Sequence, residues 1–157
     1  MELRRKLGGE STPAFAGSLI EVAEDRAYQG DPRGAEPLLR EALDIRRKKL
    51  WPGHPAIVTA EVRLGEVLVA EHKTMEAEPL LREAVASAAR EPFPLPAWQA
   101  AEARNAYGEC LKSLGREREA EPLLTQSRAA LESDPRPAFR TGPTARLLSI
   151  AAHSRAQ

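Results

Sequence analysis

The octapeptide AEPLLREA at Ala35–Ala42 recurs letter for letter at Ala77–Ala84, and a divergent copy, AEPLLTQS, begins at Ala120. Ala35 and Ala77 stand 42 residues apart, Ala77 and Ala120 43. Self-similarity at such a period marks stacked units, each of which buries its apolar face only against a neighbour. Each period reads as two helical segments. In the second, Ala35, Leu38, Leu39, Ala42, Leu43 and Ile45 form the i, i+3, i+4, i+7 stripe of a helix buried on one side. Ala77, Leu80, Leu81, Ala84 and Val85 repeat it, and Ala120, Leu123, Leu124 and Leu131 repeat it less completely.

The first segments are Pro55–Glu71, carrying Ile57, Leu64, Gly65, Val67 and Leu68, and Pro96–Leu114, carrying Trp98, Tyr107, Gly108 and Leu111. Each starts at a proline, whose missing N–H has no intrahelical partner at a first helical position. Pro13 and Pro143 hold the equivalent place further out, and Thr12 is positioned as an N-cap. Pro37, Pro79 and Pro122 fall early in the second segments and leave two readings. Either the helix starts late and the proline lies in its first turn, or it starts near Asp31 or Thr74 and loses a backbone bond.

Composition agrees with stacked helices. Apolar residues make up 42% of the 157, aromatics only 4%, and the apolar set is mostly Ala and Leu, which suits close helix packing rather than a sheet. The 23 basic and 23 acidic side chains balance to a net charge of +0, which gives no electrostatic case for nucleic acid or an anionic membrane. One cysteine, Cys110, excludes an intrachain disulfide. With no apolar run of spanning length and no signal-peptide segment, a cytoplasmic setting is expected.

The spacing of small residues resembles the tetratricopeptide repeat in its 42-residue, kinesin-light-chain-like form. Ala23, Gly65 and Gly108 precede Ala35, Ala77 and Ala120 by 12 residues each. Leu39, Leu81 and Leu124 match the family's large apolar position, and Ala42, Ala84 and Ser127 its third small one. GHPAIVTAEVRLGEVL also resembles its linker and first helix. The resemblance implies an all-α, right-handed superhelical solenoid of helix-turn-helix repeats. The units would be 1–12, the tail of a preceding helix and a linker; 13–53, 54–94 and 95–134, three repeats; and 135–157, a connector and C-terminal capping helix. A start inside a repeat fits either a fragment of a longer bacterial signalling protein or a small protein with a degenerate first cap. Repeat 1 departs from the pattern at Asp25 and Arg26, which stand where repeats 2 and 3 carry apolar residues or cysteine. Either this helix is loosely packed or the two charges pair.

In this family the first helices line a concave groove. The resemblance therefore places Ile20, Val62 and Asn105, then Glu24, Glu66 and Glu109, then Ala27, Val69 and Lys112 on the partner-binding face. The three glutamates would form a column, a surface for a basic peptide or protein patch or else plain solvated surface. Arg63 and Arg104 stand within a turn of it and can neutralise part. The lysine–asparagine clamp of chaperone-binding relatives is absent at Val62, Arg63, Glu66 and Ala70, and of the asparagine pair of kinesin light chains only Asn105 is present. No metal-ligand spacing joins His54, His72 and His153, no phosphate-loop pattern follows Gly8-Gly9, and Cys110 reads as a packing residue. Catalytic residues, metal and cofactor are all expected to be none. IRRKK at Ile45–Lys49 complements a helix dipole or offers a basic docking patch. The expectation is a non-catalytic protein-interaction scaffold. The alternative is self-assembly into a homo-oligomer through exposed repeat ends.

Overall fold

The structure is a computed structural model describing residues 12–90 and 95–133. The expected tail and linker before Thr12, the connector and capping helix at 135–157 and His153 lie outside the described residues. Within them are six α-helices and no strand: α1 (Pro13–Tyr28), α2 (Pro32–Lys49), α3 (Pro55–Ala70), α4 (Thr74–Ala88), α5 (Ala97–Ser113) and α6 (Glu117–Glu132). They pack as hairpins, α1 on α2, α3 on α4 and α5 on α6. Each hairpin meets the next through α2 on α3 and α4 on α5, while α1, α3 and α5 also touch in sequence. The result is an all-α repeat solenoid.

Local signals account for the boundaries. Phe15 N–H donates to Thr12 Oγ1 (3.1 Å), Gly34 N–H to Asp31 Oδ1 (2.9 Å) and Ala56 N–H to His54 Nδ1 (3.0 Å). Each cap satisfies an N–H that the first helical turn leaves without a partner. Helices α2, α4 and α6 start early, so Pro37, Pro79 and Pro122 lie inside them. The late-start reading does not hold. All three prolines are exposed, so the carbonyl each leaves without its helical donor faces water, where the loss costs least.

One turn recurs between the helices of each hairpin. Gly30 (φ 84°), His72 (φ 61°) and Gly115 (φ 73°) occupy the same repeat position in the left-handed region. The next residue's N–H reaches back to the preceding helix in every case: Asp31 to Arg26 O (2.9 Å), Lys73 to Leu68 O (2.8 Å) and Arg116 to Leu111 O (2.9 Å). This is the Schellman closure, which asks for glycine because a Cβ is disfavoured at positive φ.

The core is built on the small-residue ladder. Ala23 against Ala35, Gly65 against Ala77 and Gly108 against Ala120 are all buried. A Cβ placed on Gly65 would stand 2.5 Å from Leu81 Cγ, and one on Gly108 2.7 Å from Leu124 Cγ. The leucine of the second helix thus rests on the bare backbone of the first. Ser127, at the position of Ala42 and Ala84, is 1% exposed, and its hydroxyl donates to Ala101 O at 2.8 Å. Leu95, just before α5, is buried. Asp25 and Arg26 are exposed and form no pair with each other; Arg26 Nη1 donates to Gly34 O instead (3.2 Å).

Gly65→Ala should lower stability by about 1–3 kcal/mol in urea unfolding, since the overlap exceeds the gain in helix propensity. Gly108→Ala should cost less, because Leu124 is half exposed at the end of the described array and can yield. Equal losses would refute this account of the ladder. His72→Gly should raise stability by about 0.5–1 kcal/mol by relieving the left-handed backbone.

Candidate functional site

Helices α1, α3 and α5 follow one another along one side of the solenoid. Three of their carboxylates converge on one guanidinium. Arg63 Nε lies 2.6 Å from Glu24 Oε1, Nη1 3.2 Å from Glu66 Oε2 and Nη2 3.6 Å from Glu102 Oε1. Three successive helices are thereby tied at one point. The side chain of Arg63 is 10% exposed, Glu66 14%, Glu102 17% and Glu24 26%, so water screens the cluster weakly. Burial first, and then the neighbouring carboxylates, determine Glu66: its pKa is raised above the ordinary value despite Arg63 beside it. The same carboxylates hold Arg63 firmly charged, its pKa raised although burial opposes this.

The nine expected groove residues divide into three groups. Glu24 and Glu66 share Arg63. Asn105, Glu109 and Lys112 line a cavity of about 330 Å³ between α5 and α6, together with Leu124, Ser127 and Leu131. There Lys112 Nζ pairs with Glu109 Oε1 at 3.3 Å, so the third glutamate of the column is held by a different cation. Ile20 and Val62 are core residues, 5% and 2% exposed, and present almost no surface to a partner. Ala27 and Val69 are half buried against the same core. Asn105, at the repeat position of Ile20 and Val62, stays half exposed where the described array ends.

The spacing of the cluster explains why Glu102 was missed. Glu24, Arg63 and Glu102 stand 39 residues apart, one helical turn short of the repeat. A residue at a given height on one helix meets a residue a turn earlier on the next. Arg104 makes no ion pair among the described residues.

Two residues of the basic run after Ile45, Arg46 and Arg47, are engaged in joints. Arg46 Nη1 donates to Ala56 O (2.5 Å), Arg47 Nη2 to Glu61 Oε1 (2.8 Å) and Glu83 Oε2 (3.1 Å), and Lys48 to Asp44 (2.7 Å). Glu61 is 1% exposed and burial raises its pKa, with Arg47 opposing the shift. Cys110 is buried, its Sγ 3.7 Å from Thr74 O, and burial pushes the thiol up to about 11, so it is not a thiolate at neutral pH. Among the described residues no cluster of three His, Cys, Asp or Glu could hold a metal, and no helix is long and apolar enough to cross a membrane.

Comparison with solved structures places the fold. The TPR domain of Arabidopsis FLU aligns over 77% of this chain and 98% of its own, with a TM-score of 0.63 at 22% identity. Kinesin-light-chain TPR-like repeats of Podosopora anserina align over 86% of the chain at 24% identity and TM-score 0.67. A single-residue variant of those repeats aligns over 92% at 25% and 0.69. The chain spans 64% and 66% of these two structures. The architecture is that of a tetratricopeptide solenoid. No protein-family model and no curated protein matches the chain.

The raised pKa of Glu66 has a defined consequence for stability. The folded state binds its proton more tightly than the unfolded chain does. Stability therefore grows as pH falls from neutral through the folded value, and this share is complete below the ordinary 4.5. Glu66→Gln should flatten part of that rise in urea unfolding measured across the range, Glu61 supplying the remainder. Parallel profiles for the two proteins would contradict this assignment.

Proposed function

We propose that the chain is a non-catalytic interaction scaffold whose face of first helices, α1, α3 and α5, holds a basic peptide or a basic segment of a partner protein. The tetratricopeptide solenoid is a fold that generally serves protein–protein interaction, and function must still be argued from the site. Glu66 carries the reading. It is a groove carboxylate, partly exposed, whose charge is disfavoured where it stands even with Arg63 at 3.2 Å. A lysine or arginine brought to it gains more than it would from a carboxylate in water, because the cluster is weakly screened. Glu24 and Glu109, 26% and 30% exposed, extend acceptors along the same side. Arg63 fixes Glu24 and Glu66 in place, so little side-chain freedom is lost on binding.

The test uses a fluorescein-labelled lysine-rich dodecapeptide and its glutamine counterpart in anisotropy titrations. Glu24→Gln/Glu66→Gln/Glu109→Gln should weaken the lysine peptide about tenfold, and added salt should weaken it for the wild type more than for the variant. Equal affinity of both proteins for the lysine peptide, or equal affinity of the wild type for both peptides, would sink the proposal.

A further inference from the structure

The two internal joints of the array share one ion pair. Asp31, Lys73 and Arg116 are the N-caps of α2, α4 and α6. Five residues after each stands the octapeptide glutamate: Glu36, Glu78 and Glu121. Lys73 Nζ meets Glu36 Oε2 at 2.5 Å, and Arg116 Nη1 meets Glu78 Oε1 at 3.0 Å. The glutamate of one hairpin thus grips the basic N-cap of the next. Among the described residues no other ion pair between second helices recurs at both joints: Arg40 reaches Glu76 and Arg47 reaches Glu83 at the first, while at the second Arg82 turns back to Glu78. The third glutamate, Glu121, is exposed on α6 and makes no ion pair among the described residues. The cavity between α5 and α6 lies at the same end. Its Leu124 and Leu131 occupy the positions of Leu81 and Ala88, which are 0% and 7% exposed in the preceding hairpin.

We propose that the α6 end is a docking surface for a helical hairpin whose second helix begins with lysine or arginine, and that Asp31 bars a second copy of this chain from it. A copy stacked with the geometry of the internal joints would set its Asp31 against Glu121. The joints leave Glu36 and Glu78 only 15% and 17% exposed. Two carboxylates drawn to that burial without a cation repel each other and lose hydration together. A hairpin with a basic N-cap makes the pair that Lys73 and Arg116 make, and its first helix covers the cavity.

Sedimentation velocity with charge reversals tests both halves, a second copy being the probe. The wild type should remain monomeric at its highest soluble concentration. Asp31→Lys, or Glu121→Lys alone, makes the two ends complementary and should strengthen head-to-tail association at least about tenfold, reversibly by salt. The double reversal should restore the monomer. Asp31→Lys also removes a helix cap, whereas Glu121→Lys does not, so the second variant keeps the test clear of unfolding. A wild type that associates as strongly as the single variants overturns the proposal. Single variants that stay monomeric overturn it as well.

Discussion

The contact on which the solenoid depends is a leucine lying on a bare helix backbone. Gly65 has no Cβ, and Leu81 occupies the space where one would be. The axes of α3 and α4 can then approach closely enough for Ala77 and Ala84, both 0% exposed, to fill the remaining seam. The hairpin of α5 and α6 uses the same device, with Gly108 beneath Leu124, and that of α1 and α2 carries the next smallest residue, Ala23, buried at the same place. Because the contact recurs at a fixed interval, each hairpin has nearly the same shape and meets its neighbour with nearly the same stagger. The electrostatics follow from that stagger. Ion pairs between equivalent helices of successive hairpins span 36 to 39 residues, short of the repeat.

Those pairs differ in what they contribute. In the pairs Arg40–Glu76 and Arg47–Glu83 both side chains are 43–58% exposed, and such pairs add little to stability but favour one register over others. The central helix carries a different kind. Glu61 and Arg63, two residues apart, lie about 200° apart around α3, and both are buried, at 1% and 8% exposure. Glu61 turns towards Arg47 and Glu83 on the second helices, Arg63 towards acids on the first helices. The middle hairpin thus holds one buried charge on each side, and each reaches into another hairpin. Hydrophobic packing tolerates small shifts, whereas a buried charge left without its partner does not. These two residues therefore tie the angle between hairpins to the central one.

The hairpins could be read from the sequence because their cause is local: three octapeptides, a glycine or alanine twelve residues before each, and prolines at helix starts. The start of the second helices could not. Pro37, Pro79 and Pro122 allow a late start, and the earlier one prevails because Schellman turns at Gly30, His72 and Gly115 already deliver the chain into helical geometry. The charged cluster is half legible. Glu24 and Glu66 were placed together from their common repeat position, and they do share a partner. Their meeting point required the 39-residue stagger, which no single hairpin contains, so Glu102 stayed hidden. Ile20 and Val62 share a repeat position with Asn105, yet they are buried and Asn105 is half exposed. Exposure at such a position depends on the next hairpin, which is a property of the stack.

The turn between the helices of a hairpin shows how one residue can alter the chemistry of a joint while the fold is kept. All three Schellman closures orient the following residue alike, since the same N–H-to-carbonyl bond pins it. Asp31 has acceptors, so its side chain folds back onto the Gly34 N–H and caps its own helix. Lys73 and Arg116 have only donors and cannot cap; α4 and α6 have no side-chain cap bond. Their side chains reach outwards to the carboxylate of the hairpin before. A cap is worth about 1 kcal/mol to its helix, so the basic N-caps give up local stability and gain a link across the joint. Asp31 does the reverse, and the repeat position that binds a neighbour at two sites is, at the third, closed upon its own helix.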